Sequence, residues 1–385
     1  MTLGSLPFTA STHEIDALHE RLRTRAPGVH RAELPDGSPV WVITGYDAVT
    51  MLLTDPNVSA AKADSTMGFR GNKLPPALDA NLLNLDGEAH RRLRSLAAEA
   101  FGPRHHRFHE EIVWTAVTEL VADLPAAGRI DLMTGLCEPL PVRVTGTLLG
   151  LPQEQLGAFR EASAPLFRSD ASHEADALRK SMTTLWGLIS EAIAGKRREP
   201  GQDLLSTWIA ARDGQDRLTE DELVSLAFLT IIGGFENTIS STSFVLDELV
   251  RHHQARAREL LDRPTEFTTL IRQLVGTATP MNYAVRRFPL ADIEINGVVI
   301  PHGHTVYASL RSAHLDPAGH GRPNLTFGRG RHYCLGAPLA HLQADHAARA
   351  VLSKYPHLHV TGPRETYRLR ESWMTYALAE LTLTT

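Results

Sequence analysis

Apolar residues recur at helical spacing along most of this chain, and a few short segments carry the residue types of strands. The helical pattern covers residues 13–25, 46–54, 90–101, 107–124, 139–149, 153–167, 173–198, 219–253 and 337–355. β-Branched residues predict strands at 40–44, 293–295 and 298–300, and Asn296-Gly297 between the last two is a strong hairpin signal. Strands and helices do not alternate and no linker stands out, which predicts one mainly α domain over residues 1–385 with a small β portion.

The helix predicted over 219–253 contains two adjacent glycines, Gly233 and Gly234. Thr219 and Glu222 have the spacing of a capping box and mark its start. Each glycine costs about 1 kcal/mol relative to alanine in a helix interior. Either close helix–helix packing offsets this cost, or a ligand lies against the backbone at a locally widened turn. Residues 64–85 form a long irregular loop, of a length that is often functional.

Composition excludes several classes of protein. Apolar residues make up 43% and charged residues 22% of the 385 residues, as in soluble globular proteins. The net charge of −5 argues against a nucleic-acid binder. Two cysteines do not make a secreted disulfide scaffold, so we expect a reducing, cytoplasmic setting. The first ten residues lack a signal-peptide pattern, and the longest apolar stretch, 223–232, is shorter than a membrane span.

The candidate chemistry lies in the segment F-G-R-G-R-H-Y-C-L-G-A-P, residues 327–338. Cys334 stands among glycines and directly before a predicted helix, where backbone amides and the helix dipole stabilise a thiolate. Glycines allow the backbone to approach a flat ligand. A thiolate held in this way suits an axial ligand of haem iron. The alternative is an inert buried cysteine in a turn.

This segment matches the signature F-G-x-G-x-H-x-C-x-G and resembles the cytochrome P450 family, in particular its soluble bacterial members. The resemblance implies the cytochrome P450 fold, with haem b (iron protoporphyrin IX) between the long central helix and the cysteine loop. It implies that Cys334 is the proximal iron ligand, with Phe327 and Gly336 also against the cofactor.

A second group of residues has the chemistry of carboxylate recognition. His90 and Arg94 are four residues apart and share one helix face, although a solvated basic helix has the same pattern. The resemblance implies that both bind haem propionates, together with Arg287 and His332. We interpret the neighbouring Arg286 as a surface charge.

The central helix resembles the family's glycine–glycine–acid–threonine motif, in which acid and alcohol guide protons to dioxygen. The resemblance implies that Gly233 and Gly234 make room for dioxygen and that Glu236 is the acid. Asn237 occupies the alcohol position, and a hydroxyl follows only at Thr238. One helical residue turns a side chain by about 100°, so Thr238 does not simply replace the alcohol.

The chain departs from the family at a second place. The family's E-x-x-R pair falls on Gln273 and Gly276, and the meander before the cysteine loop is shortened. Glu248 and Arg251 have the same spacing but lie too far upstream. Removing one partner of a buried ion network costs about 3–5 kcal/mol, whereas removing all of them need not. The sequence therefore indicates a remodelled scaffold behind the thiolate.

The resemblance also indicates the substrate and redox surfaces. The predicted substrate pocket comprises Phe228, Leu229, Ile232, Met281, Val285, Trp373 and Met374, beside the loop at 64–85. Most of these are apolar, so we expect an apolar or amphipathic organic substrate. Arg91, Arg92, Arg329 and Arg331 form either a basic patch that steers a ferredoxin or a scatter of solvated arginines.

The function favoured by these observations is a haem-thiolate monooxygenase of bacterial natural-product biosynthesis, served by a ferredoxin and a ferredoxin reductase. Because Asn237 replaces the alcohol, one alternative is a haem-thiolate enzyme with peroxide-driven, coupling or rearrangement chemistry. Because the charged pair is missing at residues 273 and 276, another alternative is a degenerate binding or recruitment module on the same fold.

Overall fold

Helices dominate the computed structural model, which describes residues 2–5, 11–26, 28–34, 36–69, 75–102, 105–166, 175–214, 218–364 and 367–385. The helices are α1 (Thr12–Thr24), α2 (Tyr46–Thr54), α3 (Pro76–Asp79), α4 (Gly87–Ala100), α5 (His106–Asp123), α6 (Pro139–Leu149), α7 (Leu156–Ser163), α8 (Ala175–Arg198), α9 (Leu204–Asp213), α10 (Glu220–Glu248), α11 (Gln254–Glu259), α12 (Pro264–Ala278), α13 (Leu310–His314) and α14 (Ala337–Lys354). The strands are β1 (Thr2–Ser5), β2 (Val29–Glu33), β3 (Pro39–Ile43), β4 (Val58–Ser59), β5 (Arg129–Asp131), β6 (Phe288–Pro289), β7 (Ile293–Ile295), β8 (Val298–Ile300), β9 (Val306–Ala308), β10 (His359–Val360) and β11 (Thr382–Thr384). The predicted mainly α class with a small β portion is confirmed.

Most predicted helices agree with the structure to within a few residues. The helix predicted over 153–167 is instead divided into a 3₁₀ turn at Gln153–Gln155, α7 and a second 3₁₀ turn at Ala164–Leu166. Pro165 explains the break, because proline cannot donate the helical hydrogen bond. Helix α9 and strand β2 were not predicted. Residues 70–74 of the predicted loop, and residues 167 and 173–174 of predicted helices, lie outside the described residues.

Helix α10 passes through the middle of the main core and packs against α3, α6, α12 and α14. Thr219 and Glu222 form the predicted capping box at its start. The widened turn considered at Gly233 and Gly234 is wrong, because α10 is α-helical across both residues. The wider π-type turn lies further on, at Leu249–His253.

The stretch Glu220–Glu259, which contains α10, is long and apolar enough to cross a membrane by composition alone. However, 67% of its most apolar window is buried inside the fold. This burial is typical of the core helix of a soluble protein.

The main sheet has the strand order β1-β2-β3-β9 and packs with α2 on a second, smaller core. Strands β7 and β8 form the predicted hairpin. Its turn residues Asn296 and Gly297 have φ of 51° and 79°, the left-handed conformation that such a two-residue turn requires. The sheet also positions the site, because Arg287 exchanges backbone hydrogen bonds of 2.8 Å with Val306 of β9.

Candidate active site

The cysteine loop runs from Phe327 to the start of α14 and folds back on itself. The Cys334 amide donates to the Phe327 carbonyl at 3.0 Å, and a 3₁₀ turn at Gly330–His332 lies between them. Gly330 has φ of 76°, and a Cβ there would lie 2.7 Å from the Leu53 carbonyl oxygen of α2. This close approach requires glycine. The loop therefore places the Cys334 sulfur directly before α14.

Several donors surround the sulfur of Cys334. The amides of Gly336 and Ala337 hydrogen-bond to it, and the Arg94 guanidinium adds a favourable charge. Although the residue has an exposed side, desolvation by the surrounding protein raises the pKa of the thiol more than these groups lower it. A metal cation at this sulfur would supply the missing stabilisation, because coordination deprotonates a thiol outright.

His90, His332 and Asp86 form a cluster next to this loop, where their possible metal-ligating atoms lie within 4.8 Å of one another. The two imidazole centroids are 4.3 Å apart. His332 Nε2 is 3.5 Å from an Asp86 carboxylate oxygen, and Arg331 Nε is 3.0 Å from the other. Asp86 had no predicted role, although an acidic residue directly before a helix is a recognisable cap.

Burial disfavours the charged form of both histidines. Burial lowers the pKa of His90 to about 4 and also lowers the pKa of His332. Burial alone would raise the pKa of Asp86, but hydrogen bonds from His332 and from the amides of Ala60 and Gly87 outweigh it and hold this pKa well below its usual range. His90 Nε2 is buried without a hydrogen-bond partner among the described residues, so it lacks the partner that a buried polar atom normally has.

Arg94 and Arg287 bring positive charge to the same place. Arg94 donates to the Tyr333 carbonyl at 2.6 Å, which fixes it beside the cysteine loop. Arg287 is only 4% exposed and donates to the Val285 carbonyl at 2.7 Å. Burial lowers its pKa to about 10, which still leaves it charged at neutral pH. Among the described residues no carboxylate forms an ion pair with Arg287, so this buried cation fits an anionic ligand.

The interpretation of Arg286 as a surface charge is wrong. It is 8% exposed, donates to the Asn84 side chain and lies 5.0 Å from the ring centroid of Phe69. Its partners therefore belong to the segment around the loop at 64–85 and not to the histidine cluster.

The glycines of α10 have different surroundings. A Cβ on Gly233 would meet no atom within 4 Å, whereas a Cβ on Gly234 would lie 2.7 Å from Thr145 Oγ1 on α6. The structure therefore explains Gly234 by close helix packing, whereas the space beside Gly233 is open. Asn237 carries a buried Oδ1 without a hydrogen-bond partner among the described residues, and Thr238 is buried.

Glu236 belongs to an ion network that the sequence did not reveal. Its carboxylate lies 3.5 Å from Arg370 Nη1, and the other terminal nitrogen of Arg370 contacts Glu138 before α6. Arg370 Nε also donates to the Leu378 carbonyl at 3.2 Å. The carboxylate of Glu236 is 12% exposed, so this pairing provides the compensation that a buried charge needs.

The predicted substrate residues divide into two sets. Phe228 and Trp373 are buried in the core, and Trp373 packs edge-on against Tyr307 at 5.2 Å. The remaining residues are only partly buried and are Leu229, Ile232, Met281, Val285 and Met374. The backbone brings two of them together, because Asn282, next to Met281, donates its amide to the Met374 carbonyl at 2.8 Å.

The predicted basic patch is partly neutralised. Arg92 pairs with Glu222, and Arg331 pairs with Asp86. Arg91 is exposed and Arg329 is partly buried. The surface over the thiolate side is therefore less basic than its arginines suggest.

The cysteine with amide donors, the unpartnered His90 nitrogen, the buried Arg287 and the open face of Gly233 fit haem. Together with the helical fold they define a haem-thiolate protein.

No protein-family model matches this chain. Cytochrome P450 monooxygenase PikC of Streptomyces venezuelae is 34% identical over 359 residues, which cover 88% of this chain and 83% of PikC. Nocardicin C N-oxygenase of Nocardia uniformis subsp. tsuyamanensis is 32% identical, with 94% of each chain covered.

Solved structures agree with these relatives. The tirandamycin C-bound P450 monooxygenase TamI has a TM-score of 0.86 and 31% identity, with 97% of each chain covered. The chain therefore belongs to the cytochrome P450 family. It is an enzyme, a monooxygenase that uses haem iron to oxidise a small organic molecule.

Proposed function

We propose that this chain binds haem b through Cys334 and inserts one oxygen atom into an apolar natural product. The observation that carries the proposal is the placement of Cys334, with two amide donors on its sulfur and the Arg94 guanidinium close by. His332 of the same loop lies near the buried Arg287, which forms no ion pair with a carboxylate among the described residues. Relatives named as a mycinamicin IV hydroxylase/epoxidase and as a polyketide biosynthesis P450 support this substrate class.

Four residues would hold the two propionates, namely His90, Arg94, Arg287 and His332. Arg94 and Arg287 provide charge, and the two histidines provide directed hydrogen bonds. Cys334 would bind the iron from one side, with Phe327 and Gly336 along the ring. When bound, haem iron supplies the activation of dioxygen and accepts the electrons that the reaction needs.

Glu236 and Asn237 would organise protons on the side of α10. Arg370 holds the Glu236 carboxylate in place, and this carboxylate can accept and return a proton through water. The free Oδ1 of Asn237 can accept a hydrogen bond from the same water. Thr238 is buried next in the helix, about 100° further round, and has at most an indirect role.

The apolar side chains of Leu229, Ile232, Met281, Val285 and Met374 would contact the substrate. Two of them are thioethers, which adapt to irregular ligand shapes. They favour a bulky apolar skeleton over a charged substrate.

Electrons would come from a ferredoxin and its reductase in the cytoplasm. Exposed Arg91 on α4 supports an acidic partner on the thiolate side. The neutralisation of Arg92 and Arg331 predicts a modest dependence of the electron-transfer rate on salt.

The test is the carbon monoxide difference spectrum of the reduced protein. We expect the red-shifted Soret band of thiolate-ligated haem in the wild type and in Cys137→Ala, because Cys137 is a buried core residue. We expect its loss in Cys334→Ala. Colourless protein that refuses hemin would instead favour a recruitment module.

Asn237 in place of the alcohol favours one second candidate, peroxide-driven oxidation. Turnover with hydrogen peroxide, and none with a ferredoxin and reductase, would select it. The opposite result would exclude it.

A further inference from the structure

The end of α12 is joined to the cysteine loop by an uncharged contact. Gln273, at the position of the family's acid, is exposed, whereas Gly276, at the position of the arginine, is buried. The remodelled α12 therefore leaves no buried charge at either position. The structure shows what occupies the place of the missing ion network.

The carbonyl of Gly276 cannot be satisfied within its own helix. The amide four residues on would be that of Pro280, which has no N–H. Helix α12 ends at Ala278, and Thr279 follows with φ of 32°, which turns the chain out of the helix. A buried carbonyl at this point needs a donor from elsewhere.

Thr326 provides this donor. Its hydroxyl donates to the Gly276 carbonyl at 2.7 Å, and Thr326 is 7% exposed. The Thr326 amide donates to Asn324 Oδ1 at 3.3 Å. The Asn324 side chain fills the space beside Gly276, because a Cβ on Gly276 would lie 2.7 Å from its Nδ2.

This contact lies one residue from the thiolate loop. Thr326 precedes Phe327, whose carbonyl accepts the Cys334 amide at 3.0 Å. Two hydrogen bonds, joined by the covalent backbone from Thr326 to Phe327, therefore connect α12 with Cys334. We propose that Thr326 is a positioning residue that holds the cysteine loop against α12, in place of the family's charged network. The inference rests on the proposed role of Cys334 as iron ligand.

The test compares how fast the haem-bound protein loses the thiolate-type carbon monoxide spectrum in mild urea. Thr326→Val keeps the shape of the side chain but leaves the Gly276 carbonyl unpaired. The loss of such a buried hydrogen bond corresponds to about a tenfold faster loss of the thiolate spectrum. Thr326→Ser restores the hydroxyl and the wild-type rate. Thr277→Val is the matched control, because Thr277 is exposed on α12 and, among the described residues, its hydroxyl bonds to Leu274 of its own helix alone.

A double-mutant cycle covers the case in which Thr326→Val does not fold. Gly276→Ala displaces the Asn324 side chain and should accelerate the spectral loss, and this effect should vanish in an Asn324→Ala background. Two results overturn the inference. One is that Gly276→Ala accelerates the loss of the thiolate spectrum equally with Asn324 and with Asn324→Ala. The other is that Thr326→Val loses the thiolate spectrum at the same rate as Thr277→Val. A wild-type protein without the thiolate spectrum contradicts the role of Cys334 itself, and so separates the two failures.

Discussion

Adding one methyl group to α10 should have opposite effects on stability at two adjacent positions. Gly233→Ala removes a glycine from a helix interior, which is worth about 1 kcal/mol. The added Cβ meets no protein atom within 4 Å, so no clash opposes this gain. An unfolding entropy of about 2.1 cal/mol/K per residue sums to about 0.8 kcal/mol/K for this chain, so Tm should rise by about 1 °C.

Gly234→Ala is the matched control, since it makes the same chemical change on the next residue. Its Cβ would lie 2.7 Å from Thr145 Oγ1 and 3.2 Å from Cγ2, so α10 and α6 must move apart. Overpacking of this kind costs about 1–3 kcal/mol, which exceeds the helix gain. We expect Tm to fall in this variant.

Substrate turnover should provide a second test of the position of Gly233. Because Gly233 borders the space proposed for ligand, a methyl group there should lower turnover about fivefold or more, despite higher stability. The assay pairs thermal melting of the haem-bound protein with substrate turnover. A Gly233→Ala variant that is less stable, or that is as active as the wild type, would refute the assignment of Gly233 to the ligand side of α10.

Three further outcomes follow from the charges and the backbone. Arg370→Gln should lower turnover, because the Glu236 carboxylate loses the cation that holds it in place; a variant as active as the wild type contradicts this role. Buried His19 should lower the free energy of unfolding by about 2 kcal/mol between pH 7.5 and pH 5, because its folded pKa is about 3 against an ordinary 6.5, so only the unfolded chain takes up this proton as the pH falls through 6.5. Urea midpoints measure the change, and a flat profile opposes it. Gly330→Ala should lower the free energy of unfolding by about 1–2 kcal/mol because of the positive φ alone, and the clash with α2 adds to this loss. Equal urea midpoints for the variant and the wild type would exclude this strain.

Site residues were predictable from the sequence where the pattern that identifies them lies within one short segment. The segment from Phe327 to Gly336 encodes its own turn, donors and helix start, so its glycines and Cys334 could be interpreted together without a structure. Gly233 and Gly234 look alike in the sequence, and only the packing of Thr145 separates them.

Contacts between residues that are distant in the sequence left no such pattern. Arg370 reaches Glu236 because of the path of the C-terminal segment across α10, which no spacing in the sequence reveals. Arg286 was misinterpreted for the same reason, since Phe69 and Asn84 are far away along the chain. The end of α7 is by contrast a local signal, because Pro165 lies in the 3₁₀ turn that follows it and cannot donate a helical hydrogen bond.

The buried guanidinium of Arg287 has a consequence for how the cell makes this protein. Burial disfavours this charge and the nearby Asp86 offsets the cost only in part, so capture of an anionic cofactor and completion of folding should be thermodynamically linked. The yield of intact enzyme would then follow the supply of porphyrin during synthesis, and newly made chains that emerge during iron or haem shortage would be the ones exposed to proteases.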